Sequence, residues 1–285
     1  MSRGRGSRGE RRDGSSRGDQ RRREQRLAAS SREPSIVFVV VEGFTDEQTL
    51  FNPLEHYFKQ AYPDPGLQVV FCRMKENKKD NTGRKNGDIT SRAGVTKGNI
   101  VDRLYQWALK PNMPTGFTIR DAIRIVQIAD LDGAYIPDER VSQSSVACDK
   151  PTYHEDCIIA PDEGRLRQRN ARKKENLDFL AGQDTVSYSG RDIDYSIYYF
   201  SCNLDHFVHG NANYTRAHKN QGINIFKGVE GLARFNQMVL YDSATLIDRG
   251  YRASWEYARR ENRSLEKGTN LGILIEELIE IAEQT

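Results

Sequence analysis

The first hydrophobic feature of the chain is "SIVFVVVEG", in which six consecutive apolar residues, Ile36 to Val41, are mostly β-branched. Such a run reads as a strand buried on both faces, and it ends at Glu42-Gly43. In "TDEQTLFNPLEHYFKQAY", Leu50, Leu54 and Phe58 fall on one helical stripe. Thr45 is the candidate N-cap there, acids fill the first turn, and Pro53 predicts a late start or a kink. "LQVVFCRM" predicts a second strand, "NIVDRLYQWALK" an amphipathic helix ending near Pro111, and Ile125 to Ala129 a third strand. Near the end, Leu271, Leu274, Ile275 and Leu278 form an apolar stripe that is either core packing or a dimer face.

Strand, helix, strand, helix, strand predicts an α/β fold with a parallel sheet covered by helices. Ligands in such sheets sit beyond the carboxyl ends of the strands. Glu42 stands at one such end and "IADLDG" puts Asp130 and Asp132 at another. Because side chains alternate along a strand, Asp130 and Asp132 are expected to share a face, which lets three carboxylates converge. Like charges in that position are costly without a cation or hydrogen-bond donors. Mg²⁺ or Mn²⁺ suits hard oxygen ligands, and Mg²⁺ usually keeps waters that substrate phosphates can replace. An isolated Asp-x-Asp-Gly also makes an ordinary turn, and Asp46 is equally explained as an acid in a helix's first turn.

Charge changes the picture at the beginning of the chain. Residues 1–33 hold 11 Arg and no Lys against 5 acidic residues, a balance of +6, whereas the other 252 hold 32 basic against 35 acidic residues. With little to bury, this Arg/Gly/Ser-rich segment is expected to be a disordered tail, either a phosphate-neutralising arm or a solubiliser. The expected organisation is that tail, an α/β domain with insertions over 34–210, and a helical region over 211–285 packed on it. The polar stretch Lys75 to Gly98, with Arg84 and Lys85 among its 7 basic residues, reads as a mobile or binding loop. "RLRQRNARKK" places Arg165, Arg169 and Arg172 on one helical face, able to follow a phosphate backbone or simply to be solvated.

Several classes of function are excluded or unsupported. No apolar run approaches the roughly 20 residues that span a bilayer, and no signal peptide opens the chain, so a cytoplasmic protein without membrane attachment is expected. The four cysteines form no Cys-x-x-Cys pair, which argues against a zinc ribbon or a disulfide framework. Gly-x-Ser-x-Gly and Walker A motifs are missing. His206 and His209, with Asp205 beside them, are candidate ligands or bases, although such spacing is more often local hydrogen bonding.

"VVVEGFTD" followed by "IADLDG" resembles the Toprim domain, the metal-dependent fold shared by topoisomerases, bacterial primases, a 5S ribosomal RNA maturase and the overcoming-lysogeny-defect nucleases. The resemblance covers roughly residues 34–135, with a fourth strand at "SIYYFSC", Ser196 to Cys202. It matches Glu42 to the family's glutamate, Asp46 to the aspartate of Val-Glu-Gly-x-x-Asp, and Asp130 and Asp132 to Asp-x-Asp. The closing "KGTNLGILIEELIE" is similar to the RloB-like branch found at bacterial restriction and anti-phage loci. In that branch a Ser-Asn-Pro-x-x-Glu run stands where this chain has "SCNLDHFVHG", so no role passes to Asn203 or Asp205.

The resemblance implies a Mg²⁺- or Mn²⁺-dependent nuclease for DNA or RNA, with Glu42, Asp130 and Asp132 catalytic and Asp46 joining them as metal ligands. Arg84, Lys85, Arg165, Arg169 and Arg172 are the expected nucleic-acid contacts, and an ATPase partner or a homodimer fits related nucleases. Two alternatives stand beside it. One is a haloacid-dehalogenase-like phosphatase using Asp130 and Asp132 without Glu42. The other is a non-catalytic nucleic-acid-binding protein on a degenerate Toprim fold.

Overall fold

The computed structural model describes residues 35–74, 87–214, 224–242 and 250–284. The Arg-rich segment 1–33, Arg84 and Lys85 lie outside the described residues. Four strands form the parallel body of a mixed five-stranded sheet, ordered β2-β1-β3-β8-β7: β1 (Ile36–Val40), β2 (Gln68–Cys72), β3 (Ala122–Asp130) and β8 (Arg191–Phe200). Strand β7 (Thr185–Tyr188) closes one edge antiparallel to β8. A small second sheet, β4-β6-β5, joins Val141–Gln143, Ile158–Ala160 and Thr152–Tyr153.

The alternation of the strands divides the core into two layers. From β1, Ile36, Phe38 and Val40 pack on one side with Ile100, Leu104 and Leu177, while Val37, Val39 and Val41 pack on the other with Leu50, Leu54, Phe58 and Leu274. Helices therefore cover both faces, which is why β1 is apolar at every position. The first side carries α2 (Ile100–Leu104, continuing through a π turn Tyr105–Leu109 to Lys110–Asn112) and α3 (Glu163–Ala181). The second carries α1 (Phe44–Ala61), and later α4 (Leu204–His209), α5 (Gly228–Asn236) and α7 (Leu271–Glu283) supply residues to it. Helix α6 (Tyr251–Ala258) returns to the first side through Trp255.

Two expectations are corrected in detail, and one open alternative is resolved. Helix α1 runs unbroken through the buried Pro53, and its N-cap is Gly43, not Thr45. Asp46, at the third helical position, takes up the Gly43 N–H at 2.8 Å. The fourth parallel strand starts at Arg191, five residues earlier than the apolar run, because Arg191, Asp192 and Asp194 sit exposed at its outer end. The stripe Leu271, Leu274, Ile275 and Leu278 is wholly buried in the core and presents no dimer face. It brings Glu277 of α7 against Arg124 of β3 in a two-pronged ion pair of 2.7 and 2.8 Å. Residues 35–285 form one compact unit. Among the described residues no helix is long and apolar enough to cross a membrane.

Candidate active site

The parallel strands end together, and their carboxyl ends place the acids. Glu42 follows β1, and its Oε1 accepts the backbone N–H of Asp130 at 3.0 Å, tying the two strand ends together. Asp130 is the last residue of β3 and lies on the same side as Val126 and Ile128. Its Oδ1 accepts the N–H of Leu204 at 2.9 Å, from the start of α4. Beyond Asp130 the strand stops and the backbone turns, with Asp132 at φ 50° and Gly133 at φ 66°. Gly133 is required twice over there: its positive φ disfavours side chains, and a Cβ would meet Ile158 and Leu265 at 2.7 Å.

This turn separates the two aspartates. Period-two alternation holds only while the strand continues, so Asp132 does not share Asp130's face and instead meets α3. Its Oδ2 lies 2.9 Å from Lys173 Nζ, its Oδ1 accepts the Tyr153 hydroxyl at 3.2 Å, and its carbonyl accepts Arg169 Nη2 at 3.0 Å. Among the described residues, the three carboxylates whose oxygens lie within 4.8 Å of one another are Glu42, Asp88 and Asp132. Asp88 thus takes the place that alternation assigned to Asp130. It comes from the polar stretch after β2, where its Oδ1 accepts the Thr90 N–H at 2.7 Å and the Thr90 hydroxyl at 2.6 Å. Gly87 packs directly on the Glu42 backbone carbonyl, with no room for a Cβ.

Lys173 stands in the middle of this triad with a fully buried side chain, 2.9 Å from Asp88 Oδ2 and 3.5 Å from Glu42 Oε1. Helix α3 delivers it because Leu166, Asn170, Lys173, Leu177 and Leu180 form its inward stripe. The triad is a set of hard oxygen donors that could hold a metal ion. Glu42 and Asp132 keep 19% and 21% of their side-chain surface open, so the site is reached from solvent on their side, with Lys173 beneath. Tyr153 also borders a cleft of about 840 Å³ that Asn211, Asn262 and Lys267 help to line.

The electrostatics sort the acids into two kinds. Burial, then Asp88, Asp130 and Asp132 around it, push the Glu42 carboxyl well above its ordinary range, and Lys173 only partly offsets them. Burial raises Asp130 likewise, with Asp46 and Asp132 adding to it. For Asp132 burial also acts upward, but Lys173 and Arg169 outweigh it and hold the carboxyl below its usual value. Burial would discharge Lys173, yet Asp132, Asp88 and Glu42 together keep it firmly protonated. Glu42 Oε2 and Asp130 Oδ2 accept no hydrogen bond from any described residue, and these are the two acids that favour their protonated forms.

The remaining sequence candidates fall elsewhere. Asp46 caps α1 and crowds Asp130. Of the arginines expected on one outer face of α3, Arg165 is exposed, Arg172 donates to the Ser91 carbonyl at 2.9 Å, and Arg169 turns inward to Asp132. They do not form one phosphate-tracking face, because α3 turns Arg169 towards the sheet. Asn203 caps α4 through the His206 N–H at 2.8 Å, and His209 stacks on Tyr214 at 4.4 Å. Asp88, Tyr153, Asn170 and Lys173 are site residues that the motifs do not reveal. No family model, curated protein or solved structure matches the chain.

Proposed function

We propose that this protein is a Mg²⁺- or Mn²⁺-dependent nuclease of Toprim type, cleaving phosphodiester bonds of DNA or RNA in the cytoplasm of a cell that uses it for anti-phage or restriction-linked defence. One observation carries the reading: the oxygens of Glu42, Asp88 and Asp132 gather within 4.8 Å of one another, next to Asp130, at the carboxyl ends of β1 and β3, where parallel α/β sheets bind their ligands. The motif resemblance supplies the reaction class and the defence setting.

Glu42 and Asp130, each with an oxygen that takes no described donor, would hold the divalent ion, with Asp46 and Asp132 adding negative charge beside them. When bound, such an ion stabilises charge on the transferring phosphoryl group and lowers the pKa of a bound water. Glu42 doubles as the group that takes or returns a proton, since its environment favours the protonated form. Asp132 acts by position: both its oxygens are occupied, by Lys173 and Tyr153, and Lys173 and Arg169 hold its carboxyl below the usual range. That favours a nuclease over a phosphatase that needs Asp132 to deliver a proton. An open cleft borders Tyr153, whose hydroxyl donates to Asp132, and offers room for a substrate on that side of the site.

The test is incubation of the purified chain with plasmid, single-stranded DNA, transfer RNA and total RNA in Mg²⁺, Mn²⁺ or chelator, with and without a candidate ATPase partner. Cleavage that needs metal is expected. Survival of every substrate in both metals, partner included, would remove the nuclease reading.

A further inference from the structure

The inner cation seat of the site is already filled by the chain itself. Lys173 Nζ faces Asp132 Oδ2 and Asp88 Oδ2 at 2.9 Å and Glu42 Oε1 at 3.5 Å, donating a hydrogen bond to Asp132 and pairing with the other two carboxylates through charge. The side chain has no exposed surface, and its helix is pinned on both sides of it. Asn170 Nδ2 donates to the Gly133 carbonyl at 3.3 Å, and Asn176 Nδ2 to the carbonyls of Thr90 and Val95 at 2.8 and 3.2 Å. Withdrawing the ammonium would mean prising α3 from both the Asp132 turn and the Asp88 segment. Glu42 also reaches Asp130, whose N–H its Oε1 accepts at 3.0 Å, and each of these two acids keeps one oxygen with no donor among the described residues.

Many phosphodiester-cleaving sites hold two metal ions about 3.5–4 Å apart, one serving the attacking and one the leaving oxygen. We propose that Lys173 stands permanently in the place of one of them, so that this site takes a single divalent ion, at Glu42 and Asp130, beside a built-in ammonium. The inference rests on the metal-dependent reading above and adds its stoichiometry. Lys173 is then a positioning residue: it keeps Glu42, Asp88 and Asp132 gathered at a fixed charge and closes the inner seat to metal.

Titration of the full chain with Mn²⁺ by calorimetry, followed by electron paramagnetic resonance of the bound ion, tests this without any nucleic acid. One Mn²⁺ per wild-type chain and no coupled Mn–Mn signal are expected, with a second ion and a coupled signal in Lys173→Ala. Two ions per wild-type chain would overturn the inference and leave the metal-dependent reading standing, whereas no bound ion would remove both. A folded Lys173→Ala chain that binds only one ion would also overturn it. If that variant is unfolded in chelator, Mn²⁺ should restore a melting transition close to the wild type's, and failure to restore it counts against the proposal.

Discussion

Lys173 and Asp132, 41 residues apart in sequence, are joined at 2.9 Å in a contact where the lysine is wholly buried. The pair is the hinge of the site's charge balance, since Lys173 is also the ion partner of Asp88 and Glu42.

Removing the ammonium leaves those acids buried without it. Lys173→Met should therefore destabilise the metal-free protein by about 3–5 kcal/mol, the cost typical of breaking a buried ion pair from one side. Urea denaturation in chelator measures it. A loss within about 1 kcal/mol, the range of surface pairs, would mean the acids are compensated by something other than Lys173.

Glu42→Gln and Asp130→Asn remove charge from crowded acids, so both should leave the metal-free fold as stable as the wild type or more so. Both should cut metal-dependent cleavage by about 100-fold or more, the scale of a lost acid–base group or ligand. Glu42→Gln is the sharper of the two, because a phosphatase working through Asp130 and Asp132 alone would tolerate it. Rates and melting curves of the two variants, measured together, separate these cases.

Glu42 and Asp130 have ordinary values of 4.5 and 3.8 and are both held well above them by burial and neighbouring acids. Above those ordinary values the unfolded chain has released protons that the folded chain still holds, so metal-free stability should fall as pH rises through the folded values. Asp132 works in the other direction: held low, it contributes stability that is lost only as pH falls through its depressed value. Denaturation midpoints in chelator should therefore decline as pH rises above the ordinary values of these two acids. The decline should be shallower in Glu42→Gln, and Mn²⁺ should reverse it because metal competes with those protons. A flat wild-type profile would show that neither acid holds its proton.

Residues 1–33 carry a balance of +6. If they neutralise phosphates, their deletion should flatten the plot of log K against log salt by roughly 0.9 for each duplex phosphate that is no longer neutralised. An unchanged slope, measured by fluorescence anisotropy on one duplex and one single strand, would make the segment a solubiliser.

The architecture is legible in the sequence where burial is two-sided. Strands β1, β2 and β3 announce themselves as β-branched runs, and the acids at their ends follow from the rule that such sheets bind ligands there. Alternation gives Asp130 and Asp132 a common face only when it is extended past the end of β3, into a turn that sequence does not mark apart from Gly133. Asp88 is hidden in a polar stretch with no period. Lys173 sits in "RLRQRNARKK", where charge reads as solvation, yet a signal is present: it falls on the stripe of Leu166, Leu177 and Leu180, and a lysine on an apolar stripe needs acids to meet.

The order in which the chain supplies its charges has a consequence for its birth. Glu42, Asp88 and Asp132 all precede Lys173, the last of the four to be synthesised, by 41 residues or more. At 5–20 residues per second the growing chain carries the complete set of three acids for roughly 2 to 8 s before their cation is made. Until α3 is made the acids lack the ammonium that balances them in the folded protein. The fold thus delays the site's completion until most of the sheet it stands on has been translated.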